Sequence, residues 1–128
     1  MKRTDSGFTL IELLIVVVVI GILAAIAIPK FSATREKAFI AAAKADLRNL
    51  ASLQEVYYNT HYSFASDLTD VGFTNSEGIT VTVAEATNAG WAASAVHAGL
   101  PSESCAMYHG SAAALSPATV ESVVMCSR

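Results

Sequence analysis

Apolar and polar positions divide the chain into three stretches. From Phe8 to Ile28 the only charged side chain is Glu12. At about 1.5 Å per residue this run makes a helix of roughly 31 Å, the thickness of the hydrocarbon core of a bilayer. The β-branched run Ile15 to Ile20 does not oppose a helix there, because in lipid only a helix satisfies every backbone group within one segment. Beyond Pro29 the pattern turns amphipathic. Phe39, Ala43, Leu47, Leu50, Leu53 and Tyr57 recur at spacings of three or four, and Lys37, Lys44, Arg48, Ser52 and Glu55 take other positions. The stripe reads as the core side of a helix packed on a small domain rather than as a cofactor-binding face. One helix is therefore predicted from Phe8 to about Asn59, on the order of 75 Å long. A kink or local melting is expected near Gly21 to Pro29, since proline removes one helical hydrogen bond and clashes with the preceding turn.

From Thr60 to Arg128 the composition shifts to Ser, Thr, Ala, Gly and Asn. HYSFASDLTDVGF reads as a loop closing the helix, with Ser63, Asp67 and Asp70 as turn or cap residues. Ile79 to Val83 alternates as a strand does, a turn at Thr87 to Gly90 leads into Trp91 to His97, and a third run follows at Ser104 to His109. A fourth strand is expected near Val120 to Cys126, after an alanine-rich stretch of weak strand propensity. Three or four antiparallel strands with one face on the helix stripe make an α+β headpiece. About 70 residues bury only a modest core unaided, so the helix is part of it, with Trp91 a core or sheet-face aromatic. The expected divisions are 1–7, 8–29, 30–59 and 60–128.

Composition sharpens this picture. The 128 residues are 53% hydrophobic and only 15% charged, which excludes disorder for most of the chain. A formal charge of −3 gives no general attraction to nucleic acid or anionic lipid, and after Arg48 the only Lys or Arg is Arg128. No GxGxxG, GxxxxGK[ST], HExxH, CxxC or GxSxG occurs, so no enzyme, cofactor or metal site is expected. His61, His97 and His109 are scattered and read as single solvated or satisfied histidines. Phe8, Phe31, Phe39, Tyr57, Tyr58 and Tyr62 read as packing aromatics rather than a conducting stack. There is no Asn-x-Ser/Thr sequon. Cys105 and Cys126 could form one disulfide and are too few for a cysteine-only zinc site.

Glu12 demands an explanation, because an ionisable group inside an apolar segment is costly and marks a functional site by default. A carboxyl at the membrane surface, or a protonated one, is the plain account. A cut between Gly7 and Phe8 would create an α-amine, of reference pKa about 7.7 to 8.0, one helical turn from Glu12. Glu12 could then pair with that amine on a staggered neighbouring copy, offsetting its burial and setting an axial register. Such a cut removes two cations and one acid, moving the formal charge from −3 to −4. An ordinary secretory signal peptide would instead be cleaved near Ala24, Ala25 and Ala27, but the apolar run is long for one and helix-like sequence continues beyond it.

Gly7-Phe8-Thr9-Leu10-Ile11-Glu12, followed by LLIVVVVIGILAAIAIP, resembles the prepilin cleavage and methylation segment of type IV pilins and related pseudopilins. The resemblance covers about the first 30 residues. It implies that a membrane prepilin peptidase cuts after Gly7 and N-methylates Phe8, and that Glu12 docks subunits in a filament. Lys2 and Arg3 precede the apolar run while Lys30, Arg35 and Lys37 follow it, so charge alone does not orient the span. The resemblance places the leader in the cytoplasm and the headpiece outside, where disulfides persist. Ala106 to Met125 then matches in position a disulfide-bounded loop common near the pilin carboxyl terminus, with two unpaired thiols as the alternative.

The implied partners are other copies of the subunit in a homopolymer, the prepilin peptidase, an inner-membrane assembly platform, and lipid before assembly, with no direct nucleic acid binding. The implied function is a type IV pilus subunit serving adhesion, motility or DNA uptake. A type II secretion pseudopilin is the alternative within the same fold, although no acidic loop matching the calcium-binding head of major pseudopilins is found. A minor tip pilin acting as a binding module and an uncleaved single-span protein are further alternatives.

Overall fold

A computed structural model describes residues 7–128. Most of the leader, residues 1–6, lies outside the described residues. Helix α1 spans Leu10–His61, and four strands follow, β1 (Ile79–Ala86), β2 (Gly90–His97), β3 (Leu100–Gly110) and β4 (Met125–Cys126). The chain divides into two compact units, Met1–Arg35 and Glu36–Arg128.

In the first unit α1 is helical without a break through Gly21 and Pro29. Of the kink or local melting expected there, melting is absent, because one missing backbone hydrogen bond does not end a helix whose turns continue on both sides. The helix also begins two residues later than expected, at Leu10, and its other end extends to His61. Tyr62 ends it in the left-handed region (φ 54°), its N–H donating to the Tyr58 carbonyl.

In the second unit the strands form one antiparallel sheet in the order β1-β2-β3-β4. Ile79 and Val81 point inward while Thr80 and Thr82 face solvent, as the alternation requires. β1 runs on to Ala86 through a bulge between Val83 and Glu85, which extends it past the alternating segment. Thr87 closes the β1–β2 hairpin, its hydroxyl oxygen accepting from the N–H groups of Ala89 and Gly90. Gly90 admits no side chain: an added Cβ would collide with the His109 carbonyl on β3 and with the backbone nitrogen of Ala112.

The expected fourth strand shrinks to Met125–Cys126, paired with Ala106 and Cys105. Residues 120–124 instead form turns held from outside, with Ser122 N–H donating to the Tyr108 carbonyl and Glu121 accepting from Gly110 N–H. Ala43, Leu47 and Leu50 of α1 share one buried cluster with Ile79, Val81, Trp91, Ala93, Ala95, Cys105 and Met107, so the middle of the stripe is core as expected, while half-buried Phe39 and Tyr57 at its ends lie outside that cluster and stack on His97 and His61. Leu53 packs against that cluster from a partly buried position.

The loop from 62 to 78 is tied to α1 at two polar points within this stripe region. Gln54, fully buried, receives the Ala65 N–H at Oε1 and donates from Nε2 to the Ala65 carbonyl, both at 2.8 Å. Asp46, also buried, accepts from the backbone N–H and hydroxyl of Ser76. Between them Asp67 anchors an Asx turn, accepting from the N–H and hydroxyl of Thr69, which hold its carboxyl below the usual range. That turn is at full strength above the ordinary aspartate range and loses its anchor as pH falls through the titration of Asp67.

Candidate functional site

The amino-terminal site is built by the start of α1. Thr9 is its N-cap and Glu12 its third helical residue, and they cap each other. Thr9 N–H and hydroxyl both donate to Glu12 Oε2 at 2.9 Å, while Glu12 N–H donates to Thr9 Oγ1 at 3.3 Å. This reciprocal arrangement satisfies otherwise orphaned donors of the first turn. The Thr-x-x-Glu spacing at residues 9–12 is the sequence signal of this cap. Glu12 thus has a local partner in the isolated chain, while Phe8, one turn earlier, is 88% exposed.

Beyond the cap the apolar surface stays open. Large apolar side chains from Leu10 to Phe31 are exposed, with even Val19 at 48%. α1 is long and apolar enough near its amino terminus to cross a membrane, by length and composition. Exposed patches this large are rare on soluble monomers and mark a surface that something else covers.

At the other end of the chain Cys105 and Cys126 form a disulfide, residues that face each other directly in the β3–β4 pairing. Beyond it Ser127 bonds to Glu103 and Ser104, and Arg128 pairs with Glu36 of α1 at 2.7 Å. Replacing Cys105 with Ser opens a link of sequence separation 21 and should destabilise the headpiece by about 3 kcal/mol on the chain-entropy account. Denaturant unfolding followed by the fluorescence of Trp91, the only tryptophan and 1% exposed, measures this loss.

The histidines serve separate contacts. His61 stacks on Tyr57, His97 stacks on Phe39, and His109 lies 2.8 Å from Ser122 Oγ and 3.7 Å from Glu55. Among the described residues no three His, Cys, Asp or Glu side chains converge on a metal-sized site. Tyr58 stacks on Phe64, so these aromatics join the helix to the head.

One long helix with an apolar, exposed first half, together with a small four-stranded antiparallel sheet, defines an α+β protein of pilin-like architecture. Comparison with known proteins agrees: the family described as the prokaryotic N-terminal methylation motif matches residues 2–28. The chain is 37% identical over 65 residues to the type II secretion system core protein G of Pseudomonas aeruginosa, covering 51% of this chain and 46% of that one. It is 40% identical over 74 residues to the type IV major pilin protein PilA of Myxococcus xanthus, covering 58% and 34%. To the type IV wide pilus major component PilA4 of Thermus thermophilus it is 43% identical over 65 residues, covering 51% and 50%. The chain spans half or less of the length of these relatives.

Proposed function

We propose that this chain is a structural subunit of a type IV pilus, made as a single-span inner-membrane precursor and polymerised through its amino-terminal helix. The observation that carries this reading is the exposed apolar surface from Phe8 to Ile28, in which the only charged side chain is the carboxylate of Glu12. Lipid covers that surface before assembly and the helices of other copies cover it afterwards. Processing after Gly7 removes a charged leader that an apolar filament core would not accommodate, and methylation follows on the Phe8 amine. The new amine and Glu12 of a neighbour then neutralise one another, and residues 60–128 form the outward headpiece. Nothing in this scheme calls for catalysis.

A type II secretion pseudopilin is the second reading, favoured by the similarity to core protein G. Intact-mass and amino-terminal analysis of protein sheared from the host's surface tests both. A chain beginning at N-methyl-Phe8, two hydrogen atoms lighter than its reduced form and abundant in the sheared fraction, supports the pilus. The same chain confined to the cell envelope supports the pseudopilin, and a chain retaining residues 1–7 refutes both. Gly7→Leu should abolish processing, leaving only the precursor mass; a mature-sized product would place the cut elsewhere.

A further inference from the structure

Charge is segregated along this chain. Between Asn49 and Ser127 there are seven acidic residues and no lysine or arginine, whereas Lys30 to Arg48 holds five cations and two acids. Lys37, Lys44 and Arg48 follow one another at spacings of seven and four, which places them within an arc of about 40° on one side of α1 over roughly 16 Å. The core-facing residues Ala43, Leu47 and Leu50 occupy a different side.

Intrachain pairing leaves these cations over. Arg128 pairs with Glu36 and His109 lies beside Glu55 and Glu121, while among the described residues no hydrogen bond or ion pair holds the side chains of Lys37, Lys44 or Arg48. Most head carboxylates are spent within the head: Glu55 lies beside His109, Glu85 and Glu121 accept from backbone N–H groups, and Glu103 bonds Ser127. Asp70 and Glu77 are the exceptions. Both are exposed on the loop between α1 and β1, and neither carboxylate has a partner among the described residues.

We propose that the Lys37–Lys44–Arg48 face of α1 is a docking surface for the Asp70–Glu77 loop of a second copy of this chain. This rests on the polymer reading above. A subunit that keeps its free cations on the helix and its free carboxylates on one loop has complementary patches that do not satisfy each other internally. A head-to-tail contact between copies pairs them, and such heterologous contacts propagate into a filament. Like charges meet if the same patches are placed face to face, so the pattern also selects against the wrong stagger.

The test introduces substitutions into the full chain in its host. One variant carries Lys44→Glu with Arg48→Glu, a second Asp70→Lys with Glu77→Lys, and a third all four. The readout is filament mass sheared from cells, divided by processed, disulfide-bonded subunit in the envelope, which removes any effect on folding or processing. Each reversal should lower this ratio about tenfold, and the four-substitution swap should restore most of it. A reversal that assembles like the unaltered chain, or a swap no better than the single reversals, overturns the docking. Failure of the unaltered chain to shed any filament would remove the polymer reading and the docking together, before any variant is compared. Salt-sensitive binding of the full chain to duplex DNA or to anionic phospholipid vesicles, lost on reversing the stripe while filament yield stays unchanged, would assign the stripe to a polyanion and likewise overturn the proposal.

Discussion

Cells carrying Glu12→Ala should accumulate processed, membrane-inserted subunit and shed essentially no filament. The carboxylate sits in an apolar segment at a cost of several kcal/mol unless paired, and in the isolated chain its partner is the Thr9 cap. In the proposed filament that cap would lie one turn from the amine created at Phe8, and a neighbour's amine would neutralise the charge where the cap alone would leave it buried. Two further variants separate the roles. Glu12→Gln retains a side chain able to cap the first turn but carries no charge, and should fail to assemble as Ala does. Thr9→Val removes the cap oxygen, weakening the helix start by about 1 kcal/mol, yet should still assemble. Normal filaments from Glu12→Gln would show that the cap, rather than charge pairing, is what assembly requires.

The largest loss of headpiece stability should come from Gln54→Ala, about 4 kcal/mol, read by Trp91 fluorescence during denaturation of the full chain in detergent. Truncation strands both the N–H and the carbonyl of Ala65, itself 2% exposed. Each stranded group costs about 1 to 3 kcal/mol, and the vacated space adds to this. Gln54→Glu gives a signed check. The introduced carboxyl would be buried, raising its folded-state pKa above the unfolded value of about 4.3. The variant is then most stable below that pH and loses stability as pH rises through it. A pH-independent loss equal to that of Gln54→Ala would mean that the loop at Ala65 moves away and that Gln54 does not hold it.

Much of the architecture was legible because it is written in local periodicity. The unbroken apolar run, the stripe through Ala43, Leu47 and Leu50, the alternation at Ile79 to Val83 and the turn at Thr87 each need only a few neighbouring residues to be recognised. The Thr9–Glu12 cap was equally local, and its spacing would have disclosed it. The fourth strand is shorter than expected because, although Val120, Val123 and Val124 are apolar, the Ser122 N–H and the Glu121 carboxylate bond to Tyr108 and Gly110 of β3 rather than continuing the ladder.

Sequence by itself determined that this protein has an apolar helical segment of membrane-spanning length with one carboxylate, an amphipathic continuation and a β-rich remainder, since periodicity and hydropathy act over one or two turns. Tertiary structure alone decided that Gln54 and Asp46, polar residues among the apolar helix positions, turn inward to bind Ala65 and Ser76. Whether a buried polar side chain is satisfied depends on where a loop 11 or 30 residues away returns. The pairing of Cys105 with Cys126 across two strands, and the stranding of Lys37, Lys44 and Arg48 without partners, are likewise set by which distant groups the fold brings within bonding distance.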